Sequence, residues 1–155
     1  MEIYNCIAVD LLYYQIYEKK IKIEVYDEEE KIRILTEIDG VEFSSAGEDY
    51  FEVFKKLRDQ ILELGYGLKC NGSRINAIQS NMMAGSDRVY LVEMGKPALM
   101  KDVVCMWDYA DIDSFPDTEH QKMFLDQWLN SWFNYLHDEN MNRKRRPAMN
   151  SQEKI

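Results

Sequence analysis

The chain has 155 residues, 46% of them hydrophobic and 12% aromatic, which predicts one domain with a sizeable core and excludes a wholly disordered protein. Its net charge of −9 at pH 7 argues against nucleic-acid binding, which normally needs a basic face. No apolar run reaches the roughly 18 residues of a membrane helix, and the acidic N-terminus lacks the basic region of a signal peptide.

The first part of the chain predicts a small antiparallel meander. Residues 1–17 are rich in β-branched and aromatic residues, which favours a strand over a helix. Residues 21–25 alternate between apolar and polar, the period of a half-buried strand, and a similar run follows a turn at residues 27–30. Asp39-Gly40 predicts a second turn that leads into another strand.

Two helices are predicted from apolar residues spaced three and four apart. The first spans about residues 49–64, with Ser45 and Glu48 as a capping box and Gly65 at its left-handed end. The second spans about residues 118–137, and Thr118 with Gln121 forms its expected capping pair.

The segment between the helices predicts strands at residues 66–70, 88–94 and 99–107. A polar loop, Cys70–Asn81, separates the first two, and its Asn, Ser and Gln side chains suit hydrogen bonding to nearby backbone. The sequence therefore predicts a single α+β domain over residues 1–138, a mostly antiparallel sheet covered by two helices. Residues 139–155 carry five basic and two acidic side chains without periodicity, and we expect a disordered basic tail.

No pattern for a metal or cofactor stands out. His120 and His137 lie far apart in one predicted helix, whereas a helical metal pair needs a spacing of three or four. Asp111 and Asp113 match only the alternation of a calcium loop, and the glycines fit no phosphate-binding motif. Three distant cysteines argue against a disulfide framework and structural zinc and favour a reducing cytoplasm. We therefore predict no cofactor and no metal.

Cys70 leaves one catalytic alternative open, an enzyme that uses the Cys70–Asn81 loop. A thiolate nucleophile needs a neighbouring base, and no histidine is near Cys70 in the sequence. At the end of a strand, a small buried hydrophobic residue is the ordinary role of cysteine.

Between Gly65 and Trp132, residues of several kinds follow a recognisable order. They are Cys70-Asn71-Gly72, Arg74, Ser80, Met82, Gly85, Tyr90-Leu91, Gly95-Lys96-Pro97 and Val103-Val104, followed by a helix with Gln121 and Trp128. This order resembles a small bacterial family without an established activity. Small acidic single-domain proteins of this kind are similar to immunity proteins of contact-dependent and other polymorphic toxin systems. The resemblance implies a protein that binds and neutralises one toxin domain.

These observations predict a cytoplasmic, non-catalytic binding protein whose partner is a basic toxin domain, with no nucleic-acid or membrane partner. An acidic body attracts a basic protein and speeds their encounter. The candidate contacts are acids in two predicted loops: Asp27, Glu28, Glu29, Glu30, Asp108, Asp111, Asp113 and Asp117. A structural or interaction module that forms a homodimer through an open sheet edge is the main alternative.

Overall fold

Two antiparallel sheets and two helices make up the described part of the molecule. The computed structural model describes residues 1–13 and 17–145, and the surroundings of side chains as far as Phe133. The predicted α+β class is confirmed. In chain order the elements are β1 (Glu2–Asp10), β2 (Glu18–Glu28), β3 (Lys31–Ile38), β4 (Val41–Gly47), α1 (Tyr50–Glu63), β5 (Tyr66–Leu68), β6 (Ala77–Ile78), β7 (Arg88–Leu91), β8 (Val103–Cys105) and α2 (Thr118–Arg145).

The larger sheet has the strand order β4-β3-β2-β1-β5, and the smaller sheet has the order β6-β7-β8. The predicted meander of β2, β3 and β4 is confirmed, with two-residue turns at Glu29-Glu30 and Asp39-Gly40. The strand predicted over residues 1–17 is present at Glu2–Asp10, where β1 pairs with both β2 and β5, but Leu11–Tyr13 form a 3-10 turn and residues 14–16 lie outside the described residues. This pairing joins the start of the chain to the region that follows α1.

The core lies between helix α1 and one face of the larger sheet. Ile23 of β2 and Ile34 of β3 are 0% exposed, while the residues next to them in sequence face away from the core. Helix α1 turns its apolar stripe to this face, as its spacing of three and four predicts. The stripe includes four residues with 0% exposure, Val53, Phe54, Leu57 and Ile61.

The predicted capping box of α1 is wrong. The residue before the helix is Asp49, and its side chain makes no capping hydrogen bond. Ser45 lies inside β4 on the buried face, and its hydroxyl donates to the Val53 carbonyl at 2.7 Å. Ser45 therefore joins strand to helix instead of capping the helix. Gly65 follows the helix with a φ of 89°, as predicted.

The predicted capping pair of α2 is also wrong. The backbone N–H of His120 donates to the Asp117 carboxylate at 2.9 Å, so Asp117 caps the helix and Thr118 lies inside it. The helix continues to Arg145, beyond the predicted end at residue 137. The predicted boundary between domain and tail therefore falls within a helix, and residues 146–155 lie outside the described residues.

The first turns of α2 join it to the rest of the fold. Gln121 and Trp128 are buried, and the Trp128 indole N–H donates to the Lys96 carbonyl at 2.9 Å. Leu129 and Phe133 are 46% and 70% exposed. The apolar face predicted for this helix is thus only partly covered, because Trp128 is buried whereas Leu129 and Phe133 are exposed to solvent.

The strands of the smaller sheet are shorter than predicted. A single 3-10 turn, Met100–Asp102, replaces the start of the strand expected at residues 99–107. A short strand inside the polar loop, β6, was not predicted and pairs with β7. Two-residue and three-residue strands leave too little alternation for sequence periodicity to mark their ends.

Candidate functional site

The polar loop folds inward and hydrogen-bonds the backbone around it, as its composition predicts. Asn71 is 7% exposed, and its amide donates to the Cys105 carbonyl at 3.2 Å. The Gln79 amide donates to the carbonyls of Ser86 and Arg88, at 2.8 and 2.9 Å. These side chains satisfy backbone groups that an irregular loop would otherwise leave unpaired.

The close approach of Gly72 to the core explains why the Cys70–Gly72 run ends in glycine. A Cβ atom at this position would lie 2.8 Å from Cζ of Phe54, a fully buried residue in the apolar stripe of α1. The Gly72 N–H donates to the Met106 carbonyl at 2.9 Å, and its own carbonyl accepts from the Gln121 amide at 2.9 Å. Only glycine fits this close approach, so the run packs the loop against both helices.

Arg58 and Gln121 form a buried polar pair between the helices. Arg58 is 1% exposed, and its guanidinium donates to the Gln121 carbonyl oxygen at 2.6 Å and to the Asp59 carboxylate at 2.8 Å. The Gln121 amide donates in turn to the carbonyls of Gly72 and Arg74. Sequence reasoning missed this pair because an arginine in an amphipathic helix is ordinarily assigned to the solvent face.

A second polar network joins the two sheets near the N-terminus. The Trp107 indole N–H donates to the Tyr50 hydroxyl at 2.9 Å, and the Tyr4 hydroxyl donates to the Asp87 carboxylate at 2.8 Å. Burial, together with hydrogen bonds to Glu2 and Asp87, raises the pKa of Tyr4 far above its usual value. Burial also raises the pKa of Tyr50, so both hydroxyls stay neutral.

Cys70, the alternative nucleophile, is 0% exposed and lies 3.6 Å from the Ser73 hydroxyl. Burial opposes its ionisation, but hydrogen bonds from Cys6, from Ser73 and from the backbone of Ser73 and Gly72 outweigh burial and lower its pKa. Among the described side chains, no histidine is hydrogen-bonded to it, and His120 instead pairs with Asp117 at 2.7 Å. Cys70 thus combines an acidic thiol with full burial, and no described histidine accompanies it as a base.

The predicted acidic contacts lie in regions at opposite ends of β2. Asp27–Glu30 form the exposed tip of the β2-β3 hairpin. Asp111 lies 3.4 Å from the Lys69 ammonium, which also contacts Glu18 at the start of β2 at 3.2 Å. A strand rises about 3.3 Å per residue, so the length of β2 separates these regions by roughly 30 Å. The fold does not bring them into one compact cluster.

The remaining predicted contacts follow β8. Asp108 and Asp113 are exposed, and the Asp108 carbonyl accepts from the Asn71 N–H at 3.0 Å. Asp117 is partly buried, and the backbone N–H and ring of His120 lower the pKa of its carboxyl. The Asp117 carboxylate is thus occupied as the cap of α2.

The hairpin tip forms one wall of an open acidic cleft of about 740 Å³. We call it the acidic cleft; it is lined by Glu28, Glu29, Glu30, Lys31, Gly47 and Glu48. Four carboxylates and the Lys31 ammonium line it, and the Arg33 guanidinium lies 3.6 Å from the Glu28 carboxylate, so the local charge is net negative. Sequence reasoning placed Glu48 in a helix cap, and only the pairing of β3 with β4 brings it to the hairpin tip.

An exposed methionine lies close to the start of α1, which follows the acidic cleft in the chain. The Tyr50 N–H is hydrogen-bonded to the Ala84 carbonyl, which fastens the loop containing Met82 to this helix end. Met82 is 99% exposed, so it does not anchor the loop on the core. A flexible, polarisable side chain in this position is suited to adaptable protein contacts.

Comparison with known proteins gave no match, either to a protein-family model or to a curated protein. Within the described residues, no three His, Cys, Asp or Glu side chains are grouped so that they could hold a metal ion. The helices of this part of the chain include none that is both long and apolar enough to cross a membrane.

Proposed function

We propose that this chain is a non-catalytic immunity protein that binds and neutralises a basic toxin domain. The acidic cleft is the observation that carries the proposal, because it presents four carboxylates in a concave surface at one end of the molecule. Occupation by Lys or Arg side chains of the partner would neutralise these charges. The proposal places the protein in the cytoplasm, where its three free thiols stay reduced.

The charges of the cleft are expected to act mainly on the rate of association. Glu28, Glu29, Glu30 and Glu48 are all exposed, so their attraction for a cation is screened by salt. Complementary charges at an exposed rim speed the encounter of two proteins more than they slow dissociation. Burial of Met82 by the partner would supply apolar contact near the start of α1.

A partner would need a large interface to contact both the acidic cleft and the distant group formed by Asp108, Asp111 and Asp113. A standard interface buries about 800 Å² on each protein. A patch of this area is roughly 30 Å across, so the two regions would lie at its opposite edges. We therefore propose the acidic cleft as the primary contact and the Asp108–Asp113 group as a secondary one.

Quantitative capture from lysate of the host tests this function. The tagged chain is compared with Glu29→Gln/Glu48→Gln and with a matched control, Glu37→Gln/Glu42→Gln, whose exposed carboxylates lie on the outer face of the larger sheet. We expect wild type and control to retain one basic protein that the cleft variant loses. The captured protein should be toxic when expressed alone and harmless when this chain is co-expressed.

Two results would contradict the proposal: a partner that binds all three forms equally, or a captured protein whose expression harms no cell. The unfolding temperatures of the three forms are measured alongside, because equal stability shows that lost capture reflects lost contact.

A homodimer through β4 is the second candidate. Among the described strands, β4 has a neighbour on one side only, and an open edge can pair with another chain. The Gln60 amide donates to the Ser44 carbonyl at 2.9 Å, which blocks one backbone group of β4. A concentration-independent monomer mass in analytical ultracentrifugation would rule this dimer out.

A further inference from the structure

Two cysteines lie just beyond the last paired residues of strands β1 and β5, Cys6 before Ala8 and Cys70 after Leu68. The register of these strands pairs Ala8 with Leu68, and the Lys69 N–H donates to the Ile7 carbonyl at 2.8 Å. The register ends at this point, because the Cys70 N–H turns back to the Leu68 carbonyl at 3.0 Å and Cys70 bridges to Tyr109. The thiols of Cys6 and Cys70 still meet, since they hydrogen-bond each other.

Both side chains point into the core from this position. Cys6 is 4% exposed and Cys70 is 0% exposed, and both belong to the same core cluster as Ala8 and Leu68. A disulfide forms where two sulfurs can meet without a large movement of the backbone. The contact between the two buried thiols supplies that proximity.

The two thiols differ in acidity, which gives them different roles. Hydrogen bonding with Cys70, followed by burial, raises the pKa of Cys6 well above its usual value. The pKa of Cys70 is lowered, since hydrogen bonds from Cys6 and from the Ser73 segment outweigh its burial. Cys70 is thus the first to become a thiolate, with Cys6 beside it as a second thiol.

We propose that Cys6 and Cys70 form a reversible disulfide in the folded protein when a hydroperoxide reaches them. This modification site is independent of the partner proposed above. It would fasten the start of the polar loop to β1, since Cys70 immediately precedes the Asn71–Ser73 turn.

The chemistry requires a small oxidant. The Cys70 thiolate attacks one oxygen of hydrogen peroxide, the O–O bond breaks, and the departing hydroxide takes up a proton as water. The resulting sulfenic acid is attacked by the Cys6 sulfur, which forms the S–S bond and releases a second water. Two thiols and one peroxide thus give one disulfide and two waters, and an added dithiol reverses the change.

Mass spectrometry of the whole chain tests the proposal. The folded protein is treated with hydrogen peroxide below its unfolding transition, then alkylated and digested without reduction. We expect the intact chain to lose two hydrogen atoms and the digest to contain a Cys6–Cys70 cross-link that dithiothreitol removes. The cross-link should raise the unfolding temperature by about 5–10 °C, because it closes a long loop in the unfolded chain.

Cys105 provides the matched control. It is 9% exposed, its thiol contacts the Asp87 carboxylate at 3.6 Å, and burial raises its pKa. Cys105→Ala should form the cross-link at the wild-type rate, whereas Cys6→Ala and Cys70→Ala should not form it.

Three outcomes would overturn the proposal: no cross-link in the folded wild-type protein, a cross-link that includes Cys105, or a cross-link that appears only above the unfolding transition. The wild-type digest decides this by itself, even where an alanine variant folds poorly.

Discussion

Glu29 holds an unfavourable backbone conformation at the tip of the acidic cleft. Its φ is 54°, in the left-handed region, where a residue with a Cβ is strained by roughly 1–2 kcal/mol. Its neighbour Glu30, in the same turn, has no positive φ.

Glu29→Gly should therefore stabilise the fold while removing one carboxylate from the cleft. We expect a gain of about 0.5–1 kcal/mol in the free energy of unfolding, because relief of strain exceeds the added entropy of the unfolded chain. Urea denaturation measures this gain in the free energy of unfolding. Glu30→Gly is the control and should be destabilising, so equal effects of the two changes would argue against strain at Glu29.

The packing of Gly72 against Phe54 gives a second prediction for a single residue. Gly72→Ala should lower the free energy of unfolding by about 1–3 kcal/mol, because the new methyl group overlaps a ring that the core encloses. In the matched variant Gly85→Ala the new methyl group meets open space, and we expect a change within about 0.5 kcal/mol. Both changes in the free energy of unfolding are measured by chemical denaturation. Similar changes would show that the Phe54 ring moves to accommodate the new methyl group.

At the scale of elements, helix α2 is joined to α1 by the buried Arg58–Gln121 pair. Gln121 accepts from the Arg58 guanidinium and donates to the carbonyls of Gly72 and Arg74. One side chain thus satisfies three polar groups in α1 and the loop, two of them in fully buried hydrogen bonds. A buried group that loses its partner costs about 1–3 kcal/mol.

Gln121→Ala should consequently lower the free energy of unfolding by about 3 kcal/mol. Lys122→Ala, at the next and exposed position, should change it by less than about 0.5 kcal/mol. Both are measured by urea denaturation at neutral pH. Equal stability of the two variants would mean that α2 is held by Trp128 instead.

The elements differ in how far the sequence predicts them, for physical reasons. The meander was predictable because burial of one sheet face imposes strict alternation, as at Ile21, Ile23 and Val25. The helix caps were not predictable. The local preferences of Ser45 and Asp117 do not reveal which backbone group each side chain bonds in the fold. The inward folding of Asn71 was foreseeable from composition, but the burial of Arg58 depends on Gln121, far along the chain.

At the scale of the whole molecule, the net charge of −9 is unevenly distributed. Composition indicates an attraction for basic proteins, but it does not reveal which acids share a surface. Topology separates Glu28 from Asp111 along the length of β2 and brings Glu48 to the hairpin tip. The proposed binding surface is therefore a consequence of strand order, which local sequence patterns do not fix.

We propose that the acidic cleft steers a basic partner to this end of the molecule. The most direct measurement is the association rate constant of the captured partner at low and at physiological salt. We expect Glu29→Gln/Glu48→Gln to slow association about tenfold at low salt, with a smaller effect at higher salt. Glu37→Gln/Glu42→Gln should change it far less. Equal slowing by both variants would contradict the claim, because it would show that net charge alone, and not the cleft, attracts the partner.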